Sequence, residues 1–135
     1  MIEIYTDGAC LNNPGPGGWG VIILEKDKKI VFGGNERETT NNRMELTAVI
    51  EGLKQISKET PVKIFSDSTY VINTMTKNWK RKKNNDLWDA LDNQVLSRII
   101  EWNWVKGHAG NIFNEEADKI AYSEAIKIQK QIEEN

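Results

Sequence analysis

Strict alternation opens the chain. In Glu3-Ile4-Tyr5-Thr6-Asp7-Gly8, Ile4 falls on one face and Tyr5 on the other, the pattern of a short strand ending in a carboxylate. The same pattern returns sixty residues later in Lys63-Ile64-Phe65-Ser66-Asp67. Between them, Asn12-Asn13-Pro14-Gly15-Pro16-Gly17-Gly18 is dense in turn formers and reads as a segment that cannot continue a strand. Trp19 to Glu25 and Lys29 to Gly33 then read as a strand pair around Lys26-Asp27-Lys28, so sequential antiparallel strands open the domain.

From Asn42 the period changes. Leu46, Val49, Ile50 and Leu53 recur at helical spacing, with Glu51, Lys54 and Gln55 on the wetter side, and Thr60-Pro61 ends the segment. A strand, a helix-bearing connection and another strand make the crossover that sets two strands parallel in one sheet, which places Asp7 beside Asp67. Ser68 to Lys77 reads as a short helix with Tyr70, Val71 and Met75 inward. Asn85 to Ser97 reads as another, carrying Leu87, Leu91, Val95 and Trp88. Ile99 to Val105 alternates as a further strand, Gly107-His108-Ala109-Gly110 is a loop, and Asn114 opens a last helix packing through Ala117, Ile120, Ala121 and Ala125. Gln131 to Asn135 is expected to fray.

Composition changes little in this picture. The 135 residues fit one domain over 1–135, 39% hydrophobic and 28% charged, and no apolar run approaches the roughly 20 residues of a membrane span. Met1-Ile2-Glu3 enters the first strand directly, without a signal peptide, and the single cysteine, Cys10, excludes an internal disulfide and a multi-cysteine zinc site. A cytoplasmic location is expected. The net charge of −2 argues mildly against a nucleic-acid partner, but Lys77, Lys80, Arg81, Lys82 and Lys83 crowd together without an acid among them.

Four acidic residues stand out by position: Asp7 and Asp67 at strand ends, Glu45 at the start of the crossover helix, and Asp118 near the start of the last helix. Each has an ordinary structural reading. Asp7-Gly8 can be a turn, Glu45 a capping-box partner of Asn42, Asp67 an N-cap, and Asp118 a helix-dipole acid. Together they imply something else, because Glu45 shares a small-residue edge with Ala48, Val49 and Gly52 that lets the helix approach the sheet beside the strand ends. Converging carboxylates repel and are costly to desolvate, and divalent metal is the natural remedy. Hard oxygen ligands without a cysteine or histidine pair favour Mg²⁺ or Mn²⁺ over Zn²⁺. Two such ions about 4 Å apart can activate a water and stabilise the leaving oxygen in phosphodiester hydrolysis.

These residues also make the chain resemble the type 1 ribonuclease H family. Tyr5-Thr6-Asp7-Gly8-Ala9 with Asn13-Pro14-Gly15, Thr40-Asn41-Asn42-Arg43-Met44-Glu45-Leu46, Asp67-Ser68, Trp104-Val105-Lys106-Gly107-His108, and Asn114-Glu115 before Asp118 are similar to its motifs, in its order. The resemblance covers nearly the whole chain. It implies a ribonuclease H-like α/β fold: a five-stranded mixed sheet in order 3-2-1-4-5, strand 2 antiparallel to the others, with helices on both faces. It implies a monomeric endonuclease that hydrolyses the RNA strand of RNA/DNA hybrids with two Mg²⁺ ions, Mn²⁺ being a possible substitute. By the family pattern Asp7 bridges both ions, Glu45 and Asp67 hold the one near the leaving group, and Asp118 holds the one near the attacking water. His108 matches the family's loop histidine, which aids proton transfer or product release.

A hybrid-specific enzyme must sense 2'-hydroxyls across the minor groove, and short amides on turns can do this; Asn13, Asn41 and Asn42 are the candidates. Thr40 and Asn84 resemble a pocket for a DNA phosphate. Two departures bear on it: Glu38 stands where an arginine often supports that pocket, and the family's basic protrusion is cut to Trp79-Lys80-Arg81-Lys82-Lys83 before Asn84. The short run is expected to grip the hybrid backbone, a solvated charge run being the alternative. Thr69 replaces a glutamine that often follows Asp-Ser. The rival functions are a hybrid-binding module without chemistry and another nuclease of the same superfamily, such as a junction resolvase or an integrase core.

Overall fold

The opening alternation becomes strand β1, Ile2–Cys10, in the computed structural model, which describes residues 1–107 and 109–134. It is followed by β2 (Gly15–Glu25), β3 (Lys28–Thr39), α1 (Asn41–Lys54), β4 (Val62–Ser66), α2 (Thr69–Lys77), α3 (Asn85–Val95), β5 (Ile100–Trp104) and α4 (Ile112–Glu133). The sheet has five strands in the order β3-β2-β1-β4-β5. β2 runs antiparallel to β1 and β3, while β1, β4 and β5 are parallel, as expected. The sixty-residue echo is the register itself: Ile4 pairs with Ile64 and Tyr5 with Phe65, whose rings stack at 4.6 Å.

The two faces of β1 serve two cores. Ile4, Val21, Ile23 and Ile64 pack under α1 and α3 with Leu46, Val49, Leu53, Trp88 and Leu91. Tyr5 and Ile22 pack on the opposite face against Ala117 of α4, with Phe65, Phe113 and Ile120 around them. Each fully buried aliphatic side chain contributes about 1.5–3 kcal/mol, so the strand ends are carried on a well-anchored frame. Among the described residues, no helix is long and apolar enough to cross a membrane.

Several boundaries differ from the sequence reading. Gly15 to Gly18 do not form a loop but the first part of β2, paired with β1 and β3. Missing side chains suit two of these positions to the place: α4 lies on Gly18, where a Cβ would collide with the Ala121 carbonyl, and a Cβ at Gly17 would crowd the Thr39 side chain and the Ala9 carbonyl. β3 runs on to Thr39. Thr60-Pro61 does not terminate α1, which stops at Lys54. There Arg98 donates to the carbonyls of Leu53 and Ile56 at 2.7 and 2.6 Å, satisfying groups that a helix end leaves open. α3 ends at Val95 and buries Trp88 more completely than Leu87. α4 starts at Ile112, capped by Asn111, and continues to Glu133 rather than fraying from Gln131, because Ile128 is buried and holds its last turns.

The close crossing of α1 over β1 positions everything that follows. A Cβ at Gly8 would stand 2.5 Å from the Glu45 amide nitrogen and 2.6 Å from the Met44 carbonyl carbon. These are backbone atoms in a buried helix and cannot rotate away. Gly8→Ala is therefore expected to destabilise the fold by about 3 kcal/mol, an overpacking cost. Urea denaturation of the variant beside the parent measures it, and an unchanged midpoint would show that the crossing has slack.

Candidate active site

Asp7, Glu45 and Asp67 each offer a carboxylate oxygen, and these atoms lie within 4.8 Å of one another. Asp7 arrives on β1, where the register sets it level with Asp67 just beyond the end of β4. Glu45 comes from the second turn of α1, brought in by the crossing at Gly8. Asp118, on α4, stands within hydrogen-bonding reach of Asp7. The four predicted acids thus converge. None does the structural job that it has when read alone: α1 is capped by the Thr40 hydroxyl, which accepts from the Arg43 amide, and α2 by Ser68, which accepts from the Val71 amide.

The charge balance of the cluster is unfavourable. Asp7 is only 4% exposed and Glu45 8%. Burial, then the charges of Glu45 and Asp67 and the hydrogen bond that the protonated Asp7 donates to Asp118, push the Asp7 carboxyl far above the ordinary carboxylate range. Glu45 is raised by its burial and by Asp67, although the Gly8 amide and Asp7 offset part of the shift. Carboxyl groups this close must share protons or a cation. Glu45 Oε1 is buried and has no protein hydrogen-bond partner. An all-oxygen donor set with an oxygen left for another partner fits a hard divalent cation.

The predicted substrate residues fall in two groups beside this cluster. Asn13 Oδ1 accepts from the Asn41 amide at 2.9 Å, tying the turn after β1 to the start of α1, and both residues are exposed. Asn42, Lys80, Lys82, Lys83, Asn84 and Tyr70 line one surface pocket. Asn84 sits at the N-cap position of α3 with φ 63° yet makes no side-chain cap. Instead its amide donates to the Tyr70 hydroxyl at 3.0 Å, and its oxygen accepts from Arg43 at 3.3 Å. Thr40 is one turn away from Glu45. Trp79 is 48% exposed. Arg81 is set apart from its lysine neighbours: it pairs with Asp92 and lies over the Trp88 ring at 4.8 Å. His108 lies outside the described residues.

Sequence reasoning missed two residues here. Arg43 stands with its guanidinium between Asn84 and Asp86, bonding to both, while its backbone amide donates to the Thr40 hydroxyl. Its place one position after Asn42, inside the asparagine-rich motif, was the available signal. Asn114 is 2% exposed, one helical turn before Asp118, and its Oδ1 is buried without a partner. An asparagine facing inward on an otherwise apolar stripe with Ala117 and Ala121 was the signal for it.

Comparison with known proteins places these features in context. The RNase H family profile matches residues 1–126. Ribonuclease H from Pseudomonas entomophila is 51% identical, the match covering 89% of this chain and 90% of that one. Ribonuclease H from Bordetella pertussis is 49% identical over 90% of this chain and 86% of its own. Among solved structures, the N-terminal RNase H domain of a Mycobacterium tuberculosis protein superposes with a TM-score of 0.87 at 24% identity, covering 97% of each chain. LC11-RNase H1 in complex with an RNA/DNA hybrid gives a TM-score of 0.81 at 24% identity, covering 94% of this chain and 98% of that one.

The raised Asp7 carboxyl has a consequence for stability. A group that binds its proton more tightly when folded favours the fold below the ordinary carboxylate pKa of about 4, and that stability is lost as pH rises above it. In chelator at pH 7, Asp7→Asn should therefore melt higher than the parent, by about 4 °C for each kcal/mol of relieved repulsion. The gap should shrink as pH approaches 4. A variant that melts no higher at pH 7 would remove the case for charge strain at Asp7.

Proposed function

This chain belongs to the ribonuclease H family, and from that membership we propose that it is an endonuclease hydrolysing the RNA strand of RNA/DNA hybrids. The observation that carries the reading is the convergence of Asp7, Glu45 and Asp67 within 4.8 Å, with Asp118 beside Asp7. A non-catalytic hybrid-binding module would have no use for so costly a cluster. The hybrid held by a protein of the same fold supports the substrate class.

In this reading water attacks the phosphorus, the bond to the 3'-oxygen breaks, and 3'-hydroxyl and 5'-phosphate ends result. Asp7, Glu45, Asp67 and Asp118 would hold two Mg²⁺ ions, with Mn²⁺ as a substitute; bound there, the ions would supply an activated water and neutralise charge on the leaving oxygen. Asp7, which interacts with each of the other three, would contribute to both. Burial of Asp7 and Glu45 excludes competing water and holds their oxygens at fixed positions. His108, by its motif, assists proton transfer or product release.

Recognition is divided between sugar and phosphate. Asn13, Asn41 and Asn42 read 2'-hydroxyls in the minor groove. Thr40, Asn84 and Arg43 bind a phosphate of the DNA strand, Arg43 supplying the charge that Glu38 does not. Lys80, Lys82 and Lys83 grip the backbone beside that pocket, with Trp79 as an exposed apolar face, while Arg81 braces the run against Trp88 and Asp92. Such contacts carry little base information, so sequence preference is weak. The lone cysteine suits a reducing cytoplasm, and the enzyme acts as a monomeric single domain.

Cleavage of a labelled hybrid in Mg²⁺, beside duplex DNA, duplex RNA and single strands, tests the assignment. Only the hybrid should be cut, and Asp7→Asn should lower the rate by at least about a thousandfold, roughly 4 kcal/mol of barrier. Cleavage of duplex DNA, or a variant that cuts at the parental rate, would overturn it. A separate measurement concerns the basic run. Replacing Lys80, Lys82 and Lys83 by Ala should weaken hybrid binding and flatten its log–log salt slope by about 0.7–0.9 for each phosphate no longer neutralised. An unchanged slope would return these lysines to solvent.

A further inference from the structure

The loop between β5 and α4 touches the carboxylate cluster at one point that neither charge nor hydrogen bonding marks. A Cβ built at Gly107 would lie 2.7 Å from Asp67 Oδ2, 3.6 Å from its Cγ and 3.7 Å from its Cβ. Gly107 needs no glycine for backbone reasons, since it does not take a left-handed conformation, unlike Gly110 at φ 85°. Its missing side chain is accounted for by the approach to Asp67.

The loop cannot easily retreat. At its start the Val105 amide donates to the Ser66 carbonyl at 2.9 Å, and Trp104 Nε1 donates to the Asp67 carbonyl at 3.1 Å. At its end the Gly110 amide donates to Glu115 at 3.3 Å, and Asn111 caps α4. The Asp67 main chain is likewise held, by the same Trp104 bond and by the turn in which the Ser68 amide donates to Ser66 Oγ at 3.0 Å. The element free to yield is the Asp67 carboxylate, which stands at the end of a rotatable, half-buried side chain. A methyl group at position 107 would therefore leave the fold nearly undisturbed while turning one metal ligand out of line.

We propose that Gly107 is a positioning residue: its bare Cα packs against the Asp67 carboxylate and fixes the direction in which that carboxylate meets a divalent cation. The proposal rests on the reading of Asp67 as a metal ligand. It also gives the loop a defined role, since one short segment braces Asp67 at its start and caps the helix bearing Asp118 at its end.

The experiment titrates Mn²⁺ into the protein without nucleic acid, following the melting temperature and the heat of binding, and measures hybrid cleavage in parallel. Gly107→Ala should melt within about 2 °C of the parent in chelator, bind Mn²⁺ about 10- to 100-fold more weakly, and lose cleavage to match. Gly110→Asn, in the same loop but with nothing within 4 Å of its Cβ and a residue that tolerates positive φ, should behave as the parent. A parent that neither binds Mn²⁺ nor cuts hybrid would refute the functional reading itself. A parent that does both, with Gly107→Ala matching it, would refute only the role of Gly107. The pair is completed in an Asp67→Ala background, where no carboxylate remains to collide. There Gly107→Ala should change neither the metal-free melting temperature nor the metal response, and it should fold even if the single variant does not. Further loss in that background would mean that Gly107 acts by another route.

Discussion

Backbone contact between α1 and β1 at Gly8 is the constraint from which the rest of the site follows. With a side chain there, α1 would have to lift off the sheet, and Glu45 would withdraw from Asp7. With glycine, the second turn of α1 meets the end of β1 directly, and a glutamate is pressed into a space already holding two aspartates. The packing that brings these groups together is apolar, anchored by Ile4, Val21, Leu46, Val49 and Leu53. Hydrophobic burial thus supplies the free energy that holds mutually repelling carboxylates in place, and the protein carries a local instability that a cation placed there would relieve.

How far the sequence revealed this depends on the kind of contact involved. Alternation and helical period, which reflect one face being buried, disclosed the strands and the crossover, while the full strand order came from the family resemblance. The echo of Ile4-Tyr5-Thr6-Asp7 in Ile64-Phe65-Ser66-Asp67 disclosed the register, since parallel neighbours with the same two-sided pattern align in phase. Contacts made by absent side chains were not legible. Gly15 to Gly18 carry every local signal of a loop, yet they are strand, with α4 lying on Gly18 and Thr39 of β3 against Gly17, contacts that no local pattern records. Capping shows the same dependence on geometry. Thr40, not Asn42, caps α1, and Ser68, not Asp67, caps α2, so the ordinary capping alternatives for Glu45 and Asp67 do not hold. Acids relieved of capping are acids available for chemistry.

The basic face beside the carboxylates shows how local charge can differ from net charge. The chain as a whole is acidic, at −2, yet Lys80, Lys82, Lys83 and Asn84 form a pocket with Asn42 of α1. Arg81, in the same run, is exposed as well but is tethered by Asp92 and the Trp88 ring. The guanidinium's planar stacking suits it to that anchoring place, whereas an ammonium does better in water. A run that reads as uniform in sequence therefore divides into one tethered arginine and the lysines of the pocket. Arg43 makes the complementary point, since a residue in an asparagine-rich motif joins Asn84 and Asp86 through its guanidinium and Thr40 through its backbone amide.

The carboxylates differ in how firmly they are held. Asp7 and Glu45 are buried and belong to a strand and a helix whose backbones touch, so their oxygens have little freedom. Asp118 belongs to the longest helix, fixed along its length by Ala117, Ala121 and Ala125. Asp67 belongs to no element: β4 ends at Ser66 and α2 begins at Thr69. Its side chain is also the more exposed when compared with Asp7 and Glu45. Elsewhere a regular element sets a carboxylate's direction, but at Asp67 that work falls to Trp104 at the end of β5, which bonds to its carbonyl, and to the bare face of Gly107 in the loop beyond, against its carboxylate. The weakest-held carboxylate is thus the one whose direction is set by a neighbouring loop. A change in that loop can reach the carboxylate cluster without disturbing the core.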